Sequence, residues 1–134
     1  MTPRHLFASL RTPAYTIMRF ALGMLFWFHG AQKLFGLFGG KPQPLGSLMG
    51  VAGIIEFFGG LLVAFGLVTS YAALFCLAEM AVAYLKVHVS RGAWPIVNGG
   101  ELALLYLFGF LFILTEGGGL WSIDAYLGGI RRRR

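Results

Sequence analysis

The 134-residue chain is 57% hydrophobic and only 12% charged, with a mean hydropathy of +0.75, a mixture foreign to soluble globular domains. Its net charge of +6 does not point to nucleic acid, because four arginines form the terminal "RRRR" and most other basic residues flank apolar segments, as topology signals do. The single cysteine, Cys76, excludes an intrachain disulfide and a CxxC or thiolate metal centre.

The basic start, with Arg4 and Arg11, has the look of a signal-peptide n-region. The apolar stretch after it is too long for an h-region and leads into "HGAQKLFG" without a small-residue cleavage site, so it reads as an uncleaved first membrane helix. "RTPAY" suggests Thr12 as N-cap and Pro13 at the first helical position, with the helix spanning 13–36. After the glycine and proline loop "GLFGGKPQPLGS", Ser47 is placed to cap a second helix over 48–66. The connector "GLVTSY" allows only a tight turn, so a third helix, 71–89, must return antiparallel beside the second. "SRGAWPIVN" is another loop, and a fourth and shortest helix covers 99–115 before "EGGG". Residues 119–134, with Trp121, Tyr126 and a basic end, suit a short interfacial helix.

The expected fold is thus an all-α membrane protein: one domain over 1–134, an antiparallel bundle of four transmembrane helices and a short C-terminal interfacial helix. Each block approaches the roughly 20 apolar residues needed to cross about 30 Å of hydrocarbon. Arg4, Arg11 and Arg131 to Arg134 fall on one side, and the long loops opposite hold only Lys41 and Arg91. Both termini are therefore expected in the cytoplasm.

Ionisable residues interrupt these helices: Arg19, Lys33 and Lys86 against Glu56, Glu79 and Glu101, with His29 and His88 besides. At about 3 kcal/mol per central charge, six unpaired ones would cost roughly 18 kcal/mol, more than the net stability of a domain. They must be paired, wet or near a surface. At about 1.5 Å per residue, His29 and Glu56 lie level, about 10 and 12 Å from the outer ends of their helices. Lys33, Lys86, His88 and Glu101 fall within roughly 5 Å of the same outer surface, while Arg19 and Glu79, about 9 and 12 Å from the inner ends, suggest a second pair. Arg19, His29 and Lys33 share one stripe of the first helix with Gly23 and Gly30, which marks that stripe as the bundle-facing side.

Plainer readings stand beside these. Lys33, Lys86 and His88 can snorkel to the interface, and Glu101, three residues after Asn98, fits a capping box. Arg19, His29, Glu56 and Glu79 are too deep to snorkel, and intramembrane ionisable groups mark functional sites or buried specifying networks. His29 and His88 make a poor haem pair, differing in depth by roughly 8 Å with no second pair in the chain. No motif suggests a metal. An aromatic-lined pocket beside His29 would take a quinone ring, and Asp124 reads as a cap for "AYLGGI".

Taken in order, these residues resemble the DoxX family of small four-helix proteins of bacterial inner membranes. The resemblance runs from about Ala14 to Leu127. Its pattern is matched by Arg19, Gly23, His29, Gly30 and Lys33 in the first helix, and by Glu56, Gly59 and Gly60 in the second. Ala83 and His88 match the third, Gly100 and Glu101 open the fourth, and Gly119, Ser122 and Asp124 match the closing motif. Leu120 departs from it, standing where relatives often carry a basic residue. The resemblance implies an association with thiosulfate to quinone electron transfer, or with membrane complexes handling thiols and oxidative stress.

Three roles stand as expectations. In the first, the chain is a subunit or accessory of a redox system, working with a soluble or membrane redox partner, in which His29, Lys33 and Glu56 polarise a quinone carbonyl or relay its proton. The second is a scaffold whose charges serve helix pairing only. The third is a small-molecule or proton-linked transporter, for which four short helices make a narrow monomer and a homo-oligomer stays open.

Overall fold

The structure is a computed structural model that describes residues 7–132, helical throughout apart from turns and loops. Of the basic residues used to orient the chain, Arg4, Arg133 and Arg134 lie outside the described residues.

A 3-10 turn, Ala8–Leu10, runs straight into α1, Arg11–Phe35. The helix therefore starts ahead of Thr12, which is no N-cap: its carbonyl accepts the Thr16 hydroxyl at 2.8 Å inside the first turns. Pro13 still falls in the first turn, where its missing donor does no harm. Gly36, at φ 68°, ends α1, its amide bonded back to the Gln32 carbonyl.

Ser47 caps α2, Leu48–Phe65, as its sequence position suggests, accepting the Gly50 amide at 3.0 Å. Within α2, residues Ile55–Gly59 form a π turn, and left-handed Gly66 stops the helix. The return into α3, Thr69–Arg91, is as tight as its sequence implies. α3 contains a second π turn, Tyr84–His88, and finishes in a 3-10 turn. A short α4, Pro95–Asn98, has no counterpart in the sequence reading; it precedes α5, Glu101–Glu116, which starts two residues later than the sequence suggests because Gly99 is left-handed. The tail forms α6, Ile123–Arg132.

α1 packs on α2 and α3 packs on α5, while the two pairs touch each other more sparingly. Glycines set the first pairing. A Cβ on Gly60 would stand 2.7 Å from the Gly23 carbonyl oxygen and the Trp27 amide, so the two backbones are in direct contact there. The adjacent Gly59 faces the other way, where a Cβ would meet the Cys76 sulfur at 2.5 Å. Two successive glycines thus let α2 approach α1 on one side and α3 on the other. Phe26, Tyr106, Phe110 and Ile113 fill the centre, with the Phe26 and Phe110 rings 4.7 Å apart.

The outside is apolar: Phe58, Phe75, Leu85, Leu105 and Phe108 are all exposed, a continuous covering uncommon on a soluble monomer. Among the described residues two helices, Leu48–Phe65 and Thr69–Arg91, are by length and composition long and apolar enough to cross a membrane, in place of the four expected from sequence. Arg19, His29 and Lys33 break the apolar run of α1, and α5 has only 16 residues. The fold is a membrane-associated helical bundle with two such spans.

Candidate functional site

Between the α1/α2 and α3/α5 pairs lies a cavity of about 240 Å³. Its polar wall comes from three helices: His29 and Lys33 on α1, Glu56 on α2, Glu79 and His88 on α3. Phe26, Met80, Ala103 and Tyr106 make the apolar wall. Glu56 belongs to the π turn of α2 and His88 to that of α3. A π turn inserts one residue into the helical repeat and re-aims the side chains beyond it, which is why such turns gather at functional sites.

Lys33 Nζ donates to Glu56 Oε1 in an ion pair, and Glu56 is 2% exposed. The pairing inferred from depth is thus made by Lys33, while His29 lies further along the wall with its ring edge-on to Tyr106, centroids 5.9 Å apart. Glu56 Oε2 and Glu79 Oε2 are both buried without a hydrogen-bond partner in the protein. The cavity therefore has one committed ion pair and two uncommitted carboxyl oxygens.

Three sequence expectations need correction. Arg19 does not pair with Glu79. Its Nη1 donates to the carbonyls of Val63 (2.5 Å) and Ala64 (2.6 Å), and its Nη2 to that of Trp121 (2.8 Å). The carbonyls at the end of α2 carry the negative end of the helix dipole and have acceptor capacity to spare, Val63 holding only the Gly66 amide at 3.2 Å, so they outcompete a distant carboxylate for the guanidinium. Equal depth says nothing about direction, and Glu79 turns toward the Glu56 cavity. Second, Glu101 stands on the exposed surface, away from the cavity, and forms no capping box. Asn98 is instead satisfied by the Gly100 amide at 2.8 Å and the Gly92 carbonyl at 2.9 Å. Lys86 is likewise exposed and lines the groove between α2 and α3, outside the central cavity. His88 does reach the cavity, with Nδ1 3.2 Å from the Asn98 carbonyl oxygen.

Third, Asp124 caps α3, not its own helix. Its Oδ1 accepts the Val68 amide at 2.7 Å, and its Oδ2 accepts the Thr69 amide at 2.9 Å and the Thr69 hydroxyl at 2.6 Å. Burial raises the Asp124 pKa, but the Thr69 hydroxyl and amide together with the Val68 amide outweigh that and hold it below the usual aspartate value. Ser122 holds the start of α6, donating to the Gly119 carbonyl at 2.8 Å and accepting the Ala125 amide at 3.1 Å. Gly119 takes φ +73° against the Tyr15 ring, so the tail motif Gly119, Ser122 and Asp124 acts as a clamp on the bundle.

Tyr106 is a site residue that the sequence does not single out. A hydroxyl inside the most apolar helix is the signal it offers.

The DoxX family model matches residues 14–89, taking in most of α1, all of α2 and most of α3, with His29, Lys33, Glu56, Glu79 and His88 of the cavity wall. An uncharacterized protein of Haemophilus influenzae is 37% identical over 114 residues, covering 80% of this chain and 85% of its own. An uncharacterized membrane protein of Mycobacterium tuberculosis is 29% identical over 133 residues, covering 86% and 82%. No solved structure matches the chain.

Proposed function

The chain belongs to the DoxX family of membrane proteins, and on that premise we propose that it is a single-domain subunit or accessory of a redox system in the bacterial inner membrane. In this reading all four long helices cross the bilayer and both termini face the cytoplasm. The central cavity holds the ring of a quinone, whose carbonyls accept hydrogen bonds and, on reduction, protons.

One observation carries the proposal: the unpartnered, buried Oε2 atoms of Glu56 and Glu79 at a cavity otherwise walled by Phe26, Met80 and Tyr106. A buried polar atom without a partner costs about 1–3 kcal/mol, a cost relieved when a quinol hydroxyl donates to the carboxylate oxygen or when the protonated carboxyl donates to a quinone carbonyl. The residues present suit a flat ring bearing carbonyl or hydroxyl oxygens. Lys33, fixed by Glu56, offers spare N–H donors; His29 offers a ring nitrogen; Glu79 is the group placed to give or take a proton at Oε2. Aromatic faces bury the ring and keep water out.

The test is thermal unfolding of the purified protein in detergent with and without a short-tailed benzoquinone, together with extraction of co-purifying lipids. Protection of the wild type that disappears in Glu79→Gln is expected. Absence of both protection and co-purified quinone overturns the quinone site and leaves the charges as devices of helix pairing.

A further inference from the structure

We propose that the groove between α2 and α3 is the entry and seat for the hydrocarbon tail of the ligand whose ring occupies the central cavity. This rests on the ring-binding reading above and adds a second subsite to it. The groove measures about 280 Å³ and has Leu48, Val51, Ile55, Phe75, Ala78 and Val82 on walls of its own. Phe75 is 63% exposed and Leu48 57%, so the groove opens on the apolar outer face of the bundle.

Its inner wall is shared with the cavity. Met49, Ala52, Glu79, Ala83 and Val87 line both spaces. The threshold is formed by two alanines, Ala52 on α2 and Ala83 on α3, with Glu79 beside them. On this proposal the chain of methylenes passes between Ala52 and Ala83, the smallest of the five shared side chains.

Backbone geometry explains why the opening is there. α2 closes on α3 from its π turn onward, where Gly59 admits the Cys76 sulfur; its first part, Leu48–Ile54, meets α3 only sparsely. The helices part toward the Ser47 end, on the same level as the cavity. Size gives a second argument. The cavity, at about 240 Å³, is smaller than the roughly 300–1,000 Å³ of pockets that enclose a whole drug-sized ligand, so a ring fits and a long tail must leave. The groove is the apolar space that shares a wall with it. A flat ring would arrive sideways from the bilayer, passing Glu79 on the way in.

The experiment uses the full chain in lipid nanodiscs and three probes: a tailless benzoquinone, a long-chain benzoquinone, and the long-chain compound with a diazirine at the end of its tail. The expected result has two parts. Photolabelling falls on Val51, Phe75, Ala78 or Val82, and Ala78→Trp weakens long-chain binding at least tenfold while tailless binding stays as in the wild type. Leu105→Trp, on another exposed face, is the control and changes neither. Labels on α5, or an Ala78→Trp variant that binds the long-chain quinone normally, overturn the tail site while the ring site stands. Groove labelling by a photoreactive phospholipid that the long-chain quinone fails to displace also overturns it, the occupant then being an ordinary acyl chain. Failure of the tailless quinone to bind the wild type removes the ring site, and this proposal with it. Because the labelling uses unaltered protein, it decides the matter even if Ala78→Trp fails to fold.

Discussion

At the end of the bundle where the described chain begins and finishes, polar side chains are spent on backbone. Arg19 reaches three carbonyls, Asp124 takes two amides and a hydroxyl, Tyr15 donates to the Gly117 carbonyl, and only Arg19 Nε goes without a partner. Toward the other end the same residue classes line a cavity, with Lys33 and Glu56 joined and two carboxyl oxygens left without partners. The contrast separates two uses of polar side chains inside a helical bundle. Where the oxygens and nitrogens are met mostly by backbone, the group fastens helices; where they face open space, the group is kept available.

The largest effect expected from breaking this contrast is at Arg19. Arg19→Met strips hydrogen bonds from the Val63, Ala64 and Trp121 carbonyls in a place where the side chain is 2% exposed. Val63 keeps the Gly66 amide at 3.2 Å, so two acceptors are orphaned, and at about 1–3 kcal/mol each the loss should be roughly 2–5 kcal/mol in detergent unfolding. Arg19→Lys should recover little, because one ammonium cannot imitate a planar fork that serves α2 and the tail at once. A variant as stable as the wild type would show that these bonds do not hold the tail.

Next comes the seam between α1 and α2. Gly60→Ala places a methyl 2.7 Å from backbone atoms of Gly23 and Trp27, which cannot rotate away, and overpacking of this kind costs about 1–3 kcal/mol. The shift should also enlarge the cavity, since Lys33 and Glu56 sit on those two helices; a melting curve and a quinone titration read the two consequences separately.

A smaller effect belongs to Asp124. Removing a helix cap costs about 1 kcal/mol, so Asp124→Ala should lower stability by about that much, with unfolding of α3 from its Thr69 end visible in hydrogen exchange. The sign with pH comes from its lowered pKa. The stabilisation is fully present above the ordinary aspartate value of 3.8 and is lost as pH falls through the lower folded value. The gap between wild type and Asp124→Ala should therefore close in strong acid and stay constant near neutrality.

How much of the fold and the site is legible in the sequence varies with what each feature depends on. Ser47 as a cap and the tight α2/α3 turn are local, written in a few adjacent residues, and the structure has them. Depth, which can be counted along a helix, brings His29, Lys33 and Glu56 to the same half of the bundle but sets His29 level with Glu56, and the ion pair is made by Lys33. Direction cannot be counted once a π turn intervenes: Ile55–Gly59 and Tyr84–His88 break the 100° repeat, and no composition signal announces either. The partners of Arg19 stay hidden because backbone carbonyls are invisible in a list of side chains. Asp124 reads as a cap for its own helix for the related reason that its true donors, Val68 and Thr69, lie far away in sequence.

The smallest stability effect, and the most informative, is expected at Glu79. No hydrogen bond to its Oε2 exists to be lost, so Glu79→Gln should change unfolding free energy by less than about 1 kcal/mol, in contrast to Arg19 with its three carbonyl partners. Glu56→Gln should cost more, because it leaves the Lys33 ammonium without its anion. Ligand protection should fall in the opposite order of stability, abolished by Glu79→Gln while the fold is intact. Glu101→Gln, on the exposed surface, should leave both untouched. If Glu79→Gln instead unfolds the protein as Arg19→Met does, the open end of the bundle is a fastening like the other, and the free carboxyl oxygens serve packing, not a ligand.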